Sequence, residues 1–368
     1  MKNSLLRSLN DKYEFRISKL VKETKDSVSV YFDLEDKIQE FKYNSGQHIL
    51  LHLSIEGKNY TRAYSIFTAP FEEDFAITVK RVNKGLVSNY INDNFKAGDK
   101  IQVSKPRGNF KHIHSDQNKT YYFFGGGSGI TPLLSHIKSI LKTEQNSKVF
   151  LLYGNRNRSS IIHHDKLMAT EKNYPNRFHI EHEIEEEGGF FGKGLLSNLL
   201  QTKTGWIDKR RVFTYLKENP TDLPSEYFVC GPALMIEKVE QALQDISIDS
   251  SHIHIERFKS IEKSSRLQTE NSSNTQNVEI VYTIDKIKKR MLCTNQITLF
   301  DALTKNGENV PFSCLSGSCA TCACILKKGK VDMKNNYALN DTQLRDNFIL
   351  SCQAIPETSH IEVDFDLI

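Results

Sequence analysis

Residues 13–113 read as a series of short β-strands. Apolar and β-branched residues alternate with polar ones in runs such as EFRISKLV, SVSVYFDL, HILLHLSI, DFAITVKRV and DKIQVSK, and turn residues separate the runs. A period of two is typical of strands with one buried face, and short strands at this spacing are typical of a β-barrel or sandwich. The pattern predicts a β domain, to which we assign residues 1–114.

From about residue 117 the strands begin to alternate with helices. The apolar run TYYFF precedes a glycine cluster and the helical segment PLLSHIKSILK. The run KVFLLYG follows, and later EYFVCG precedes PALMIEKVEQALQD. Strands that alternate with helices predict βαβ units around a parallel sheet. We assign residues 115–258 to this α/β domain.

The C-terminal part of the chain predicts a third domain. Residues 259–276 are almost wholly polar and lack periodicity, as expected of a linker. Residues 277–368 begin with the strand VEIVYTI, and the segment TLFDALTKNG predicts a helix. Thr298 and Asp301 resemble a capping box at its start, and Gly307 stands where a C-terminal cap belongs.

Composition narrows the class of protein. Hydrophobic residues make up 38% of the chain and charged residues 26%, with a formal net charge of +4, as in an ordinary globular protein. The sequence lacks a long basic run of the kind that indicates nucleic-acid binding. The N-terminal MKNSLLRSLNDKYEF carries charges too early for a signal peptide, and no window approaches the roughly 20 apolar residues of a membrane span. We expect a cytoplasmic protein without a membrane span.

Cysteine spacing gives the strongest chemical signal. Cys314, Cys319 and Cys322 are spaced C-x4-C-x2-C, and Cys352 follows after 29 intervening residues. In a reducing compartment such a set indicates metal or redox chemistry more than disulfides. The spacing is that of a plant-type [2Fe–2S] cluster, in which four thiolates hold two irons.

Structural zinc is the alternative interpretation of these cysteines. Zinc sites commonly use paired C-x2-C units, and only one such unit occurs here, which leaves the x4 spacing unexplained. Cys293 and Cys324 are expected to be ordinary buried thiols. The histidines predict no rival metal site, because neighbours such as His163 and His164 point in different directions on any regular element.

The glycine cluster GGGSGITP predicts an anion-binding turn. It lies between an apolar strand and a helix, where Gly126 and Gly127 would let the backbone approach a pyrophosphate. Thr131 is expected as the N-cap and Pro132 as the first helical residue. The cluster is not a strict G-x-G-x-x-G, and many α/β proteins turn on glycines without binding a nucleotide.

The segment LLYGNRNRSS bears on the choice of nicotinamide. An NAD-preferring fold usually has an acid near this strand end, whereas Asn155, Arg156 and Arg158 stand here. Arginine favours a 2′-phosphate, and the segment therefore predicts NADPH as the electron donor. Exposed loop arginines without a ligand are the competing interpretation.

These segments together resemble a known family. RAYSIF, GGGSGITPLL, YFVCGPALM and the cysteine set look like the ferredoxin-NADP reductase superfamily with a fused C-terminal ferredoxin, over nearly the whole chain. The terminal NNYALNDTQLRDNFILSCQAIPETSHIEVDFD further resembles the reductase subunits of phenylacetyl-CoA epoxidase complexes. The resemblance implies an antiparallel β-barrel FAD domain, an α/β parallel-sheet NAD(P) domain and a β-grasp ferredoxin domain.

The resemblance also implies roles at the flavin. In the motif RAYS, Arg62 would bind the FAD pyrophosphate, Tyr64 would pack on the isoalloxazine and Ser65 would lie near flavin N5. The family's G-x-x-S motif puts a helix N-terminus under the phosphates, and a preceding strand position lines the flavin pocket. These positions are Gly85, Ser88 and Lys80.

At the nicotinamide, the resemblance implies a second set of positions. Thr131 would lie beside the nicotinamide, and the Cys230-Gly231-Pro232 motif would orient it over the flavin. Glu256 and Phe258 belong to the acid-x-aromatic end of the reductase module. Ser65, Cys230 and Glu256 are thus the candidate catalytic residues. Cys230 and Phe258 equally fit a purely structural role in the core.

The implied activity is electron transfer. Electrons would pass from NADPH through FAD and the [2Fe–2S] cluster to an oxygenase, above all a di-iron epoxidase acting on phenylacetyl-CoA. A reductase of another hydroxylase or desaturase, or a redox-sensing scaffold subunit, are the alternatives. Residues 185–208 are longer than the family's usual connection, and we expect a surface specific to this protein or its partner there.

Overall fold

The computed structural model describes most of the chain. The described residues are 12–34, 41–112, 114–185, 202–258, 276–312, 315, 317, 319–336 and 338–366. Three predicted features therefore lie wholly or mostly outside the described residues. They are the linker apart from Gln276, the ligand Cys314 and most of the unusual 185–208 segment.

The N-terminal strands form the predicted antiparallel barrel. Its six strands are hydrogen-bonded in the order β4-β3-β6-β1-β2-β5, and an antiparallel bridge between Ile66 and Ile77 joins the two ends of the sheet. Apolar residues on the inward positions, including Ile17, Val30 and Leu51, are fully buried. The elements are β1 (Lys12–Thr24), β2 (Ser27–Asp33), β3 (His48–Ile55), β4 (Lys58–Ser65), β5 (Phe75–Lys80), α1 (Leu86–Asn94) and β6 (Lys100–Ser104).

The second domain is the predicted α/β domain with a parallel sheet. Its strand order is β10-β9-β8-β7-β11-β12, and every pairing is parallel. The chain leaves β7 towards β8 on one side and later returns to β11 on the other, which makes the β7–β11 boundary the switch point where such folds bind ligands. The elements are β7 (Thr120–Gly126), α2 (Ile130–Thr143), β8 (Lys148–Asn155), α3 (His164–Asn173), β9 (Phe178–Ile184), β10 (Thr202–Thr204), α4 (Lys209–Glu218), β11 (Ser225–Gly231), α5 (Ala233–Asp245) and β12 (Ile253–Arg257).

The C-terminal domain is a mixed sheet that packs on a helix. The order is β14-β13-β19-β15-β17, with β13 and β19 parallel, and β16 pairs separately with β18. Thr298 caps the helix by accepting from the Asp301 backbone N–H at 3.1 Å, and Gly307 takes a φ of +85° just beyond its end. The elements are β13 (Asn277–Ile284), β14 (Ile287–Thr294), α6 (Leu299–Lys305), β15 (Ala323–Lys328), β16 (Val331–Met333), α7 (Asp341–Arg345), β17 (Phe348–Leu350), β18 (Ala354–Pro356) and β19 (His360–Asp364).

The fold class predicted from the sequence is therefore confirmed in all three parts. Within the described ranges, no helix combines the length and the apolar character that crossing a membrane requires.

Polar side chains join the barrel to the α/β domain. The Ser135 hydroxyl donates to the Thr68 carbonyl oxygen at 2.7 Å, and Lys138 Nζ lies 2.8 Å from a Glu72 carboxylate oxygen. His163, which is buried, has Nε2 2.9 Å from the Thr78 hydroxyl oxygen. Ser135 and Lys138 lie on α2, and these contacts fix the helix that follows the glycine cluster against the barrel.

Glu23 is the centre of a buried network at this junction. Its carboxylate accepts from the Ser29 hydroxyl at 2.7 Å and from Lys166 Nζ at 3.1 Å, and His163 Nδ1 lies 3.2 Å away. Burial by itself raises the pKa of Glu23, but His163, Ser29 and Lys166 outweigh burial and lower the pKa to about 2. The carboxylate is therefore ionised at neutral pH and stabilises the junction.

We expect Glu23→Gln to lower the free energy of unfolding by about 2 kcal/mol at pH 7. Since the folded-state pKa is depressed, the contribution of Glu23 is complete above the ordinary value of 4.5 and is lost as the pH falls towards 2. Urea unfolding at pH 7 and pH 3 should show the difference between variant and wild type shrinking at pH 3.

Asp74→Asn is the matched control for this substitution. Asp74 pairs with Lys19 at 3.2 Å, but both side chains are more than half exposed. Its loss should cost less than about 0.5 kcal/mol at either pH. An effect of Glu23→Gln as small as the control's would contradict the stabilising role of the network.

Candidate functional site

The glycine cluster after β7 packs directly on the end of β11. A Cβ atom on Gly129 would lie 2.1 Å from the Cys230 carbonyl oxygen, and one on Gly126 would lie 2.5 Å from Pro232 Cδ. A Cβ on Gly231 would meet Gly126 N at 2.9 Å. The predicted glycines are therefore required by backbone contact across the switch point, which brings Gly126, Gly231 and Pro232 together.

The start of the following helix differs from the sequence prediction. We expected Thr131 as the N-cap and Pro132 as the first helical residue, and this was wrong. Helix α2 begins at Ile130 with Gly129 as its N-cap, because residues 127–129 form a 3₁₀ turn that continues directly into the helix. The Thr131 hydroxyl lies in the first turn and donates to the Ser128 carbonyl oxygen at 2.9 Å.

Lys80 extends from the barrel to this glycine turn. Gly127 has a φ of +53°, and Lys80 Nζ lies 3.1 Å from the place that a Cβ on Gly127 would take. Burial lowers the pKa of Lys80 and the nearby Arg156 lowers it further, whereas Asp26 and Glu185 act in the opposite direction. An ammonium group therefore stands at the junction of the two domains, beside the partly exposed backbone of Gly127, where a phosphate could bind.

Buried polar groups without a partner lie where β8 and β9 end. Among the described residues, the Asn155 amide atoms have no hydrogen-bond partner, nor do the two ring nitrogens of His182. The nearby Tyr153 hydroxyl does have a partner, because it donates to the Gly127 carbonyl oxygen at 2.8 Å. An unpaired buried polar group costs roughly 1–3 kcal/mol, so this edge of the sheet fits a polar ligand that supplies the missing partners.

The two predicted arginines follow Asn155 on the surface. Arg156 is exposed, and its Nη2 lies 3.7 Å from Asp26 Oδ2 of the barrel. Arg158 begins a short 3₁₀ turn that Asn157 caps. Burial lowers the pKa of His182 to about 4, and the charges of His164 and Arg158 contribute to this. Arg158 therefore lies near the unpaired groups, and His182 is neutral at pH 7.

The RAYS motif lies at the end of β4. Tyr64 is partly buried and burial raises its pKa, while Ser65 is buried and paired in register with His48. Arg62 lies two residues earlier, also partly buried, so burial lowers its pKa. The strand thus presents an arginine, an aromatic ring and a hydroxyl, a donor set that suits a flavin nucleotide.

The predicted G-x-x-S motif does begin a helix. Gly85 is the N-cap of α1, and Ser88 lies in the first turn. The Ser88 hydroxyl oxygen accepts from the Val82 backbone N–H at 3.0 Å. A hydroxyl that accepts in this way still has its own proton to donate, and the first-turn N–H groups favour an anion.

The candidate nicotinamide residues lie on neighbouring strands. Cys230 on β11 is opposite Glu256 on β12, and both are buried. Burial raises the pKa of the Cys230 thiol and Glu256 raises it further, so the thiol stays protonated. Phe258, just after β12, packs against the core of the α/β domain. Ser65 belongs to the barrel, whereas Cys230 and Glu256 belong to the α/β domain. A pocket shared by these three candidate catalytic residues stays a prediction.

Three of the four predicted cluster cysteines converge. Cys319, Cys322 and Cys352 are all buried, and the hydrogen bond that the Cys322 thiol donates to Cys352 is the main cause of the raised pKa of Cys322, followed by burial. The Thr321 backbone N–H and Gln353 Nε2 each lie 3.5 Å from a cysteine sulfur. Thiols surrounded by donors fit the inorganic sulfide core of an iron–sulfur cluster.

The backbone of this loop is tightly curved. Leu315 and Ala320 have φ values of 52° and 54°, and Gly317 has a φ of 83°. A Cβ on Gly317 would lie 2.7 Å from the Asn335 carbonyl oxygen. In the part of the chain that the structure describes, no three His, Cys, Asp or Glu side chains are placed to hold one metal ion. A two-iron cluster would instead divide four thiolates between two metals, and the fourth predicted ligand, Cys314, lies outside the described residues.

Contacts between the barrel and the C-terminal domain were missed by the sequence analysis. The Arg62 guanidinium lies 4.2 Å above the Phe312 ring, just before the cysteine loop. Asn309 Nδ2 donates to the Asn59 carbonyl oxygen at 2.7 Å. These partners are 250 residues apart, and no local pattern indicates such a pair.

We expect Cys352→Ala to abolish the cluster, because it removes one of four iron ligands. Iron and acid-labile sulfide per chain, together with the visible absorption of the cluster, measure this. Cys293→Ala is the matched control, since Cys293 is partly buried outside the loop. Full cluster content in Cys352→Ala would contradict the ligand assignment.

Models of three domain families match successive parts of the chain. The oxidoreductase FAD-binding domain matches residues 14–112, the oxidoreductase NAD-binding domain matches residues 123–241, and the 2Fe-2S iron-sulfur cluster binding domain matches residues 283–357. The chain thus contains FAD-, NAD(P)- and cluster-binding domains in this order.

Characterised relatives are similar along nearly the whole chain. One subunit of the 1,2-phenylacetyl-CoA epoxidase from Escherichia coli (strain K12) is 31% identical over 362 residues, covering 96% of this chain and 98% of the relative. The ferredoxin reductase component of 3-ketosteroid-9-alpha-monooxygenase from Rhodococcus rhodochrous is 31% identical over 359 residues, covering 95% of each. The glycine betaine monooxygenase reductase subunit from Chromohalobacter salexigens is 29% identical over 367 residues, covering 97% and 96%.

Solved structures agree on the fold. Phthalate dioxygenase reductase, described as a modular structure for electron transfer from pyridine nucleotides to [2Fe–2S], matches with a TM-score of 0.57 at 20% identity, covering 97% of this chain and 98% of that one. The cytochrome b5 reductase domain of Ulva prolifera nitrate reductase matches with a TM-score of 0.57 at 22% identity, covering 68% and 99%. With its three cofactor-binding domains and this similarity along its length, the chain belongs to the ferredoxin-NADP reductase superfamily, as a reductase component of an oxygenase system.

Proposed function

We propose that the protein oxidises NADPH and delivers the electrons to the oxygenase component of a phenylacetyl-CoA epoxidase. One observation carries the proposal of an internal electron path: the barrel contacts both other domains. It binds the α/β domain around Glu23 and His163, and the C-terminal domain through Arg62 and Asn59. A flavin on the barrel would therefore lie between the nicotinamide and the cluster.

The residues of the barrel would hold the flavin. When bound, FAD takes two electrons from the nicotinamide and the [2Fe–2S] cluster carries them singly towards the acceptor. Arg62 binds the pyrophosphate in this proposal, and Tyr64 and Ser65 pack on and donate to the ring system. The N-terminus of α1, with Gly85 and Ser88, adds backbone donors for the phosphates.

The switch point would hold the nicotinamide nucleotide. Gly126 and Gly127 let its pyrophosphate approach the backbone, and Lys80 adds a positive charge from the barrel. Thr131, Gly231 and Pro232 form the wall beside the nicotinamide in this proposal. Cys230, Glu256 and Phe258 close that pocket and exclude water, with the Cys230 thiol protonated throughout.

The cluster would be held by Cys314, Cys319, Cys322 and Cys352. The donors around the sulfurs, Thr321 and Gln353, stabilise negative charge on the thiolates.

Preference for NADPH follows in this proposal from Arg156 and Arg158. Both follow β8, where the ribose of the nucleotide would lie, and no carboxylate occupies residues 155–158. A guanidinium there binds a 2′-phosphate, which NADH lacks.

We expect Arg158→Gln to raise the KM for NADPH about tenfold and to leave the KM for NADH unchanged, since only the 2′-phosphate contact is lost. Steady-state reduction of ferricyanide with each nucleotide measures both constants. Arg210→Gln, on the exposed surface of α4, is the control and should change neither. An equal effect of Arg158→Gln on both nucleotides would contradict a 2′-phosphate site.

Reconstitution tests the proposed acceptor. The holoenzyme is combined with the oxygenase components of a phenylacetyl-CoA epoxidase, a 3-ketosteroid-9-alpha-monooxygenase or a glycine betaine monooxygenase, the systems named for the relatives. We expect product formation with phenylacetyl-CoA to be at least about tenfold faster than with the other two, because specificity resides in the docking surfaces. Faster turnover with either of the others would identify that oxygenase class as the acceptor instead.

A further inference from the structure

The segment just before the cysteine loop is attached to strand β4 of the barrel. Asn309 Nδ2 donates to the Asn59 carbonyl oxygen at 2.7 Å. Further along both segments, the Arg62 guanidinium carbon lies 4.2 Å from the centroid of the Phe312 ring, and Arg62 Nη1 lies 3.4 Å from the Phe312 carbonyl oxygen. The strand that carries Arg62 therefore makes both a hydrogen bond and a cation–π contact with the C-terminal domain.

Phe312 is also held by its own domain. Its ring packs against the C-terminal core, where the centroid of the Phe300 ring lies 5.1 Å away. Phe300 is buried in α6, and its backbone N–H donates at 3.0 Å to the carbonyl oxygen of Ser351, the residue before Cys352. The ring that meets Arg62 is therefore anchored to the C-terminal core and stands in a fixed place relative to the cysteine loop.

The Arg62 guanidinium retains the capacity to bind an anion. Its Nη1 donates to the Thr61 carbonyl oxygen at 2.8 Å. Within the described ranges, no ion pair joins this partly buried guanidinium to a carboxylate. A guanidinium carries five N–H groups in one plane, so a ring can stack on its face while the N–H groups at its edge bind a phosphate. Phe312 and an anionic ligand can thus hold Arg62 at the same time.

We propose that Phe312 is a positioning residue of the flavin site, which holds the Arg62 guanidinium in place for the FAD pyrophosphate. This inference rests on the proposed binding of FAD by Arg62. It adds a residue of the C-terminal domain to a site that the sequence analysis placed wholly on the barrel.

The physical reason is preorganisation. An arginine side chain that moves freely must lose rotamer freedom when it binds a ligand, and this loss weakens binding. Stacking on Phe312 restricts the Arg62 side chain before the ligand arrives. The ring also attracts the cation, and partial burial reduces the screening of that attraction by solvent. FAD therefore binds more tightly while the C-terminal domain is docked on β4.

The coupling acts in both directions. Binding free energies are linked, so if docking raises the affinity for FAD by some factor, bound FAD strengthens docking by the same factor. A barrel without flavin would hold the C-terminal domain less tightly. The cysteine loop would thus be docked most firmly when a flavin is present to supply it with electrons.

The test is the dissociation constant of FAD, measured by titrating the flavin-free full-length protein with FAD and following flavin fluorescence. We expect Phe312→Leu to raise this Kd about tenfold, because it removes the aromatic face under the guanidinium. Phe312→Tyr keeps that face and should restore the Kd to within about twofold of the wild type. An unchanged Kd in Phe312→Leu would overturn the proposal.

Phe348→Leu is the matched control. Phe348 is buried in the core of the same domain, on β17, and the substitution removes the same atoms. It should leave the Kd for FAD unchanged. A rise as large as that in Phe312→Leu would show that a general weakening of the C-terminal domain is the cause, and would overturn the positioning role.

A second background shows whether the effect passes through the guanidinium. Arg62→Gln should itself weaken FAD binding, and adding Phe312→Leu should then change the Kd by less than about twofold, since the ring has no cation left to position. A tenfold effect of Phe312→Leu in both backgrounds would mean that the ring acts without Arg62, and the proposal would fall.

Asn309→Ala decides the question if Phe312→Leu does not fold. This substitution removes the hydrogen bond to Asn59 and weakens docking, but it leaves the ring and the guanidinium intact. The Kd for FAD should rise in the wild-type background and stay the same in Arg62→Gln. No rise in the wild-type background would overturn the proposal.

The wild type distinguishes this inference from the proposed function. If the wild-type protein binds no FAD, the proposed function itself fails. If the wild type binds FAD and Phe312→Leu binds it equally well, the proposed function stands and only the role of Phe312 is removed.

Discussion

The barrel's polar contacts with both other domains are the constraint on which the electron path depends. On one side, the buried Glu23 carboxylate binds Ser29 and Lys166 and lies beside His163, which ties the α/β domain to the barrel. On the other side, Asn59 and Arg62 contact the segment before the cysteine loop. Hydrogen bonds and charge pairs have directional requirements that apolar packing lacks, so they define how the three domains face each other.

The predicted nucleotide site at the switch point of the parallel sheet also depends on close contacts between separate segments. The glycine turn after β7 touches the end of β11 through backbone atoms, and Lys80 of the barrel stands beside it. Nearby, the Asn155 amide and His182 ring have no partner among the described residues. A site with partly exposed glycine backbone, a cation and unpaired buried groups suits an anionic, polar ligand, which is consistent with an NAD-binding domain.

The cysteine loop brings the thiols together and also lies next to the contact with the barrel. Its strongly curved backbone, with positive φ at Leu315, Gly317 and Ala320, brings the thiols together and surrounds them with donors. The segment just before the loop meets the barrel, where the Arg62 guanidinium lies above the Phe312 ring.

Several features of this protein were readable from the sequence alone. The period-two runs indicated the barrel, the strand–helix alternation indicated the parallel sheet, and the cysteine spacing indicated the cluster, because each is a local pattern imposed by backbone geometry or by metal ligation. The start of α2 was predicted wrongly, since Pro132 suits a first helical position but also tolerates the third when a glycine turn precedes the helix. Only the tertiary structure decided which side chains meet across domains, such as Arg62 with Phe312 and Glu23 with His163. Such pairs depend on how separately folded surfaces dock, and a local sequence pattern contains no information about that.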